Sequence, residues 1–115
     1  MHELSLCQGL LRQVEAIAAE HDQSRVRRIT LRIGPLAGVE PQLLQQAFEI
    51  ARNGSSAAEA QLQIDSAPLC IHCPGCHADH PAELPRLSCP HCGSEQTTLI
   101  SGDELLLVSV SFFEE

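Results

Sequence analysis

Four cysteines arranged as two pairs are the residues whose spacing is most typical of metal chemistry in this sequence. Cys73 and Cys76 flank Pro-Gly, and after twelve intervening residues Cys89 and Cys92 flank Pro-His. Each CxxC pair can bend into a tight turn, and two facing turns place four sulfur atoms at the corners of a tetrahedron, about 2.3 Å from a zinc ion. Because a closed shell of four thiolates leaves no open position for a substrate, the pattern predicts a structural zinc site.

Two other chemistries fit the same cysteines less well. Iron in a rubredoxin-like site would need an apolar shell, but residues 68–99 contain no Phe, Tyr or Trp. A redox-active CxxC normally lies at a helix N-terminus, which lowers the thiol pKa. Gly-Ser-Glu-Gln-Thr-Thr follows Cys92 and is a poor helix start, so zinc is the favoured interpretation.

One cysteine and four histidines of this segment fall outside the two pairs. The simplest interpretation is an exposed thiol and solvated imidazoles, and the alternative is ligand exchange or a weak second metal site. These residues are Cys70, His72, His77, His80 and His91. Cys7, in contrast, belongs to an apolar stripe and is expected to pack as a small hydrophobic residue.

The first three residues, Met1-His2-Glu3, form a second candidate metal site. An N-terminal amine has an unperturbed pKa of about 7.7–8.0, and imidazole is the commonest side-chain ligand for metals. Together with the backbone nitrogens of His2 and Glu3, the amine and the imidazole offer nitrogen donors in one plane, which suits Ni(II) or Cu(II). The alternative interpretation is that a helix simply begins here.

Composition and charge exclude several classes of function. The chain of 115 residues has a formal net charge of −8, and its 7 basic residues are all Arg. The acidic balance disfavours nucleic acid and anionic membranes as partners, and the lack of Lys excludes Schiff-base chemistry and a P-loop lysine. No apolar run reaches the roughly 18 residues of a membrane span, and no secretory signal is present. We therefore expect a cytoplasmic protein whose thiols stay reduced.

Hydrophobic periodicity predicts two helices and three strands. Apolar residues recur at spacings of three and four in two segments, and alternating or β-branched runs mark the strands. The predicted helices run from Leu4 to about His21 and from Pro41 to a stop before Gly54, and the strands cover residues 24–33, 60–65 and 105–113. The stripes expected to be buried are Leu4, Cys7, Leu10, Leu11, Val14, Ile17 and Ala18 in the first helix, Leu44, Ala47, Phe48 and Ala51 in the second, and Ile29, Leu31 and Ile33 in the first strand.

The cysteine-rich segment differs in composition from the rest of the chain. Residues 68–99 hold five of the six Cys, four of the six His and five of the seven Pro, so they are interpreted as an insertion between the second and third strands. We predict an α+β fold with a small three-stranded sheet and two helices, formed by residues 1–67 and 100–115. The inserted zinc-ribbon module, residues 68–99, carries the two CxxC knuckles.

The sequence resembles the HypA/HybF family of hydrogenase nickel-incorporation proteins over essentially its whole length. The family's landmarks occur in order as MHE, LRIGPLAGVEP, AFEIARNG, CPGC and CPHCG. The resemblance implies that His2 is a nickel ligand, aided by the Met1 amine and by backbone nitrogens that include that of Glu3. It also implies that zinc is bound by Cys73, Cys76, Cys89 and Cys92.

The same resemblance implies a carrier, and no enzyme. Zn(II) would be its structural cofactor and Ni(II) its cargo, delivered to the precursor of the [NiFe]-hydrogenase large subunit with the GTPase HypB as helper. In some organisms such proteins also serve urease maturation proteins. The competing interpretation is a zinc-ribbon adaptor or scaffold without a nickel-carrier role, including a nucleic-acid binder, against which the net charge and the lack of Lys and stacking aromatics count.

Overall fold

Two helices and six strands are formed by residues 2–22, 24–84 and 86–114, which the computed structural model describes. In chain order they are α1 His2–Glu20, β1 Val26–Ile33, α2 Pro41–Ala51, β2 Gln61–Ser66, β3 Cys70–Cys73, β4 Ala78–Pro81, β5 Thr98–Ser101 and β6 Leu105–Phe112. They belong to two units, of which the first comprises Met1–Arg32, Val39–Asp65 and Leu106–Glu115, and the second Ile33–Gly38 and Ser66–Leu105. Neither described helix is long and apolar enough to cross a membrane.

The first unit contains the predicted three-stranded sheet, in the order β2-β1-β6. β1 and β6 run antiparallel, because hydrogen bonds at opposite ends of the pair join residues in reverse order along the two strands. The Gly34 N–H donates to the Glu104 carbonyl at 2.9 Å, and the Phe113 N–H donates to the Arg25 carbonyl at 3.0 Å. The three-stranded sheet is therefore confirmed, with strand limits within two residues of the prediction.

β2 runs parallel to β1, since both strands end at the same edge of the sheet. The Ala67 N–H, just beyond β2, donates to the carbonyl of Ile33, the last residue of β1, at 3.0 Å. A parallel pair needs a long crossover connection, commonly a helix, and α2 lies in this connection. The Gln45 side chain of α2 donates from Nε2 to the Leu62 carbonyl at 2.8 Å, which fixes the helix against β2.

The helical stripes form most of the core of the first unit. The buried helix residues are Cys7, Leu11, Val14 and Ala18 in α1 and Leu44, Ala47 and Phe48 in α2, and the alternation of Ile29, Leu31 and Ile33 in β1 is buried as predicted. The remaining residues of the predicted stripes, Leu4, Leu10, Ile17 and Ala51, are only half-buried. They lie at the rims of the stripes, where a helix turns away from the core.

α1 begins at His2, two residues before the predicted start at Leu4. Periodicity could not detect this first turn, because its residues are polar and contribute nothing to the apolar stripe. Glu3 occupies the first turn, where the partial positive charge of a helix N-terminus stabilises a carboxylate.

α2 begins at Pro41 as predicted, because the missing N–H of proline is not needed at the first helical position. Glu40 is the N-cap, and its side chain accepts a hydrogen bond from the Gln42 N–H at 3.3 Å. The helix ends at Ala51, and Gly54 takes a φ of 79° in the following turn. The predicted stop before Gly54 is confirmed.

The second unit contains three strands of four residues each, in the order β4-β3-β5, with both pairs antiparallel. β3 is central, and its Ile71 is fully buried. A bulge between Cys70 and Ile71 shifts the register of the β3–β5 pair. These strands were not predicted, because segments such as Cys-Ile-His-Cys and Ala-Asp-His-Pro show no extended apolar alternation.

Residues 33–38 belong to the second unit through a close backbone approach. A Cβ atom added to Gly34 would lie 2.1 Å from the carbonyl oxygen of Gly102, so no side chain fits there. The Leu36 N–H donates to the same carbonyl at 2.6 Å. This segment therefore pairs with the chain that follows β5.

Candidate metal centres

The second unit brings together all four cysteines that the spacing predicts as zinc ligands. Their Sγ atoms lie within 4.8 Å of one another. Between the two CxxC pairs, the sulfur atoms of Cys73 and Cys92 are 3.6 Å apart, and those of Cys76 and Cys89 are 3.8 Å apart. A tetrahedral site with metal–sulfur distances of about 2.3 Å needs sulfur–sulfur separations of about 3.8 Å, so the donor set fits one zinc ion.

Both CxxC turns are followed by a residue in the left-handed region. Gly93 has a φ of 77°, and His77, at the equivalent position after the first pair, has a φ of 54°. In the second turn the Gly93 N–H donates to the Cys89 carbonyl at 2.9 Å, and the Cys92 N–H donates to the Cys89 sulfur at 3.5 Å. A positive φ is easy for Gly but costs a residue with a Cβ about 1 kcal/mol, so the turn after the first pair is less favourable than the turn after the second.

The hydrogen bonds of this cluster favour negative charge on one sulfur and disfavour it on another. The N–H of Cys92, helped by that of His91, lowers the pKa of the Cys89 thiol to about 6. Hydrogen bonding to the Cys92 thiol, followed by burial, raises the pKa of Cys76 to about 12. A bound divalent cation would supply the positive charge that lets the protonated sulfur ionise.

The remaining cysteine and histidines of the segment lie outside the sulfur cluster. Cys70 is half-buried at the start of β3, and its sulfur is 4.0 Å from the Ile71 carbonyl. Nδ1 of His72 lies 2.7 Å from Oδ1 of Asp79, its cross-strand neighbour on β4. Two further rings, those of His80 and His91, are stacked with centroids 6.1 Å apart.

The second candidate site lies at the start of α1 in the first unit. The predicted Met1 amine lies outside the described residues, so the structure describes this site from His2 onward. Nε2 of His2 lies 3.5 Å from Oε2 of Glu3, and the imidazole side chain is 58% exposed. The Glu40 N–H donates to the same Glu3 oxygen at 3.5 Å, so contacts connect the first turn of α1 with the N-cap of α2.

The Glu3 carboxylate also lies at this site. The sequence predicted a role only for the Glu3 backbone nitrogen. Hydrogen bonding from its own N–H, then from the Glu40 N–H, together with the charge of His2, lowers the pKa of this carboxyl group. The carboxylate is therefore ionised at neutral pH. A carboxylate beside one imidazole nitrogen is the usual partner of a metal-binding histidine, and adjacency to His2 was the signal available in the sequence.

An apolar cleft of about 130 Å³ opens between the two helices next to Glu3. Two of its lining side chains are exposed, Leu43 by 48% and Ile50 by 68%. The lining consists of Glu3, Leu4, Leu43, Gln46, Ala47 and Ile50. Exposed apolar side chains gathered beside polar groups are typical of protein-binding surfaces.

An exposed imidazole at a helix start and a closed four-sulfur cluster define a metal-handling protein with a zinc-ribbon module. The family model described as hydrogenase/urease nickel incorporation, metallochaperone, HypA matches residues 1–112. The chain is 42% identical over 110 residues to the hydrogenase maturation factor HypA of Nitrosospira multiformis and 38% identical over 110 residues to that of Aquifex aeolicus, each match covering 96% of both chains.

Two solved structures are similar in fold. The solution structure of the Ni metallochaperone HypA from Helicobacter pylori has a TM-score of 0.68 and 25% identity and covers 98% of both chains. A solution structure described as HypA protein has a TM-score of 0.75 and 26% identity, covering 100% of this chain and 98% of the other. The chain therefore belongs to the HypA family of nickel metallochaperones, which act in hydrogenase maturation. These matches confirm the expected family and the α+β fold with a zinc ribbon. At the level of the family, they also confirm nickel as the cargo and zinc as the structural ion.

Proposed function

We propose that this nickel metallochaperone carries one Ni(II) at its N-terminus, bound by the His2 imidazole, the Met1 amine and the backbone nitrogens of His2 and Glu3. The contact between Glu3 Oε2 and His2 Nε2 supports this proposal. A carboxylate at Nε2 favours the tautomer with its hydrogen there and leaves the Nδ1 lone pair for the metal. Nδ1 is also the ring nitrogen nearer the backbone, so it and the His2 backbone nitrogen can bind the same ion.

The helical position of these residues supports the use of backbone nitrogens. The first four N–H groups of an α-helix have no acceptor within the helix, and His2 and Glu3 are the first two residues of α1. Two deprotonated amides would neutralise the charge of Ni(II), which removes the repulsion between a cation and the positive end of the helix. Nickel can then bind while the rest of α1 keeps its hydrogen bonds.

We assign the structural zinc ion to the cluster of Cys73, Cys76, Cys89 and Cys92. The sulfur–sulfur separations fit a tetrahedral ion. Segments near or below about 40 residues rarely fold on apolar burial alone, and structural zinc supplies an apparent ~10–16 kcal/mol at neutral pH. The zinc ion would therefore hold the second unit folded.

The proposed recipients follow from the hydrogenase-maturation family. We propose that the GTPase HypB and the precursor of the [NiFe]-hydrogenase large subunit are the partners, together with urease maturation proteins where urease is made. The protein would act in the cytoplasm and catalyse no reaction of its own. The exposed Leu43 and Ile50 beside Glu3 support docking of a partner next to the nickel.

Calorimetric titration of Ni(II) into the zinc-loaded full chain tests this function. We expect one Ni(II) to bind per chain while the zinc content, measured before and after, stays constant. A chain that keeps its zinc and its fold but binds no Ni(II) would instead be a zinc-ribbon adaptor.

A further inference from the structure

The outer face of the three-stranded sheet carries five side chains from β1 and β6, which we name the outer strip. Ile29, Leu31 and Ile33 of β1 are buried, so Arg28, Thr30 and Arg32, which alternate with them, project to the opposite face. The Gly34 N–H donates to the Glu104 carbonyl and the Leu36 N–H donates to the Gly102 carbonyl, and this register places Leu106 opposite Arg32 and Val108 opposite Thr30. The alternation of β1 begins after Val26, which is fully buried.

The β6 half of the outer strip is apolar and exposed. Leu106 is 50% exposed and Val108 is 51% exposed. No residue of β6 is fully buried, although most of the strand is apolar. Contiguous exposed apolar side chains on a sheet are typical of surfaces that another molecule covers.

The β1 half of the outer strip carries two arginines without a carboxylate partner among the described residues. Arg25 and Arg52 have carboxylate partners at 2.8 Å, whereas no carboxylate in the described part of the chain pairs with Arg28 or Arg32. Nε of Arg28 is also buried without a hydrogen-bond acceptor. A buried donor without an acceptor is unfavourable, so the Arg28 guanidinium lacks one hydrogen-bond partner.

We propose that the outer strip docks an acidic segment of a partner protein, with apolar side chains between two carboxylates. Arg28 and Arg32 are four residues apart on one strand, so their side chains leave the sheet about 13 Å apart. The carboxylates of the segment match this spacing, and its apolar side chains cover Leu106 and Val108.

Charge and chemistry favour this occupant over two others. A second copy in two-fold contact would present the same strip, so four arginines would share one interface to which the strip contributes no carboxylate. A nucleic acid would leave the apolar half of the strip uncovered, and the strip has no aromatic side chain for base stacking. The strip shares no residue with the proposed nickel and zinc sites, so docking can be tested while both metals stay bound.

NMR titration of the ¹⁵N-labelled, zinc-loaded full chain provides the test. The probe is the capped peptide Ser-Glu-Thr-Leu-Thr-Glu-Ser, whose two Glu are four residues apart and lie with the central Leu on one face of an extended chain. We expect amide shift changes confined to β1 and β6, and binding that weakens as salt rises. Arg28→Gln or Arg32→Gln should each lower the affinity about threefold to fivefold, as loss of one partly exposed ion pair does. Replacing both Glu of the peptide by Gln removes two such pairs and should lower the affinity about tenfold to 25-fold.

Arg12→Gln is the matched control, because it removes the same charge at an exposed position of α1, outside the outer strip. Arg32→Gln changes an exposed side chain and keeps the test valid if Arg28→Gln disturbs the fold. An equal loss of affinity in Arg12→Gln, no preference for the Glu peptide over the Gln peptide, or no shifts at about millimolar peptide would overturn the proposal. Shifts in β6 that depend on protein concentration without peptide would show that a second copy covers the strip, and would also overturn it.

Discussion

Oε2 of Glu3 lies 3.5 Å from Nε2 of His2 and accepts the N–H of Glu40 at the same distance. The Glu3 side chain is only 13% exposed, whereas the His2 side chain is 58% exposed. A largely buried carboxylate at the junction of α1 and α2 thus orients an exposed imidazole. A carrier needs such a ligand, because the ligand must hold nickel in a defined geometry and still be accessible to an acceptor protein.

Removal of the imidazole should separate nickel binding from folding. His2→Ala should reduce the Ni(II) affinity by more than the roughly 10–100-fold that loss of an outer-shell partner costs. Its free energy of unfolding should stay within about 0.5 kcal/mol of the parent, because the side chain is exposed. Calorimetry, zinc analysis and thermal unfolding of the same preparation measure all three quantities, and unchanged nickel affinity would refute the N-terminal site.

Neutralising Glu3 should weaken nickel binding through the orientation of His2. Glu3→Gln should lower the Ni(II) affinity about tenfold, the lower end of the range for outer-shell partners. Glu20→Gln removes the same charge at the exposed last residue of α1 and serves as the matched control. An equal decrease in both variants would mean that net charge, and not the contact with His2, is responsible.

Blocking the N-terminal amine should be as damaging as changing His2. A Gly-Ser extension before Met1 converts the amine to an amide, which is a much weaker donor, whereas the same extension after Glu115 leaves the amine unchanged. We expect nickel binding to be lost only in the first protein, with zinc content and helicity preserved in both. Calorimetry at one pH compares them, and equal affinities would show that the amine does not bind nickel.

Cysteine variants should distinguish the zinc ligands of the second unit from a cysteine that does not bind zinc. Cys89→Ser should lose zinc and the ordered structure of this unit, because three thiolates cannot complete the closed shell that stabilises it. Cys70→Ser is the matched control and should keep one zinc per chain, since Cys70 lies outside the sulfur cluster. Metal analysis and amide NMR spectra report both effects. Loss of zinc in the Cys70 variant would show that the ligands are wrongly assigned.

Zinc affinity should rise steeply with pH, because zinc binds thiolates and the second unit is not folded without zinc. A thiol in an unfolded chain has a pKa of about 8.5, so below about pH 7 each of the four ligands releases a proton when zinc binds. The slope of log affinity against pH should therefore be constant at about four between pH 5 and pH 7.

Chelator competition across this pH range measures the slope. The chelator's own protonation must be corrected for at each pH. A slope that falls by about one above pH 6 would contradict this expectation, because it would show that the Cys89 thiolate, whose pKa is lowered to about 6 in the folded cluster, already forms before zinc binds.

Much of this protein could be predicted from the sequence because the signals are local. Apolar spacing within one segment identifies α1, α2 and the strands of the first sheet, since burial of one face depends on a period of few residues. The CxxC spacing identifies Cys73, Cys76, Cys89 and Cys92 as candidate ligands in the same way, because each tight turn involves only four residues. Short strands such as β3 and β4 were missed because four residues are too few to show a period.

Only the tertiary structure decided the relationships between residues far apart in the chain. The contact of Glu3 with Glu40 depends on how α1 packs against α2, and the approach of Gly34 to Gly102 depends on which segments pair. The placement of Arg32 beside Leu106 depends on the register of β1 and β6. Neither periodicity nor motif spacing encodes these contacts, because each is set by the long-range packing that brings whole elements together.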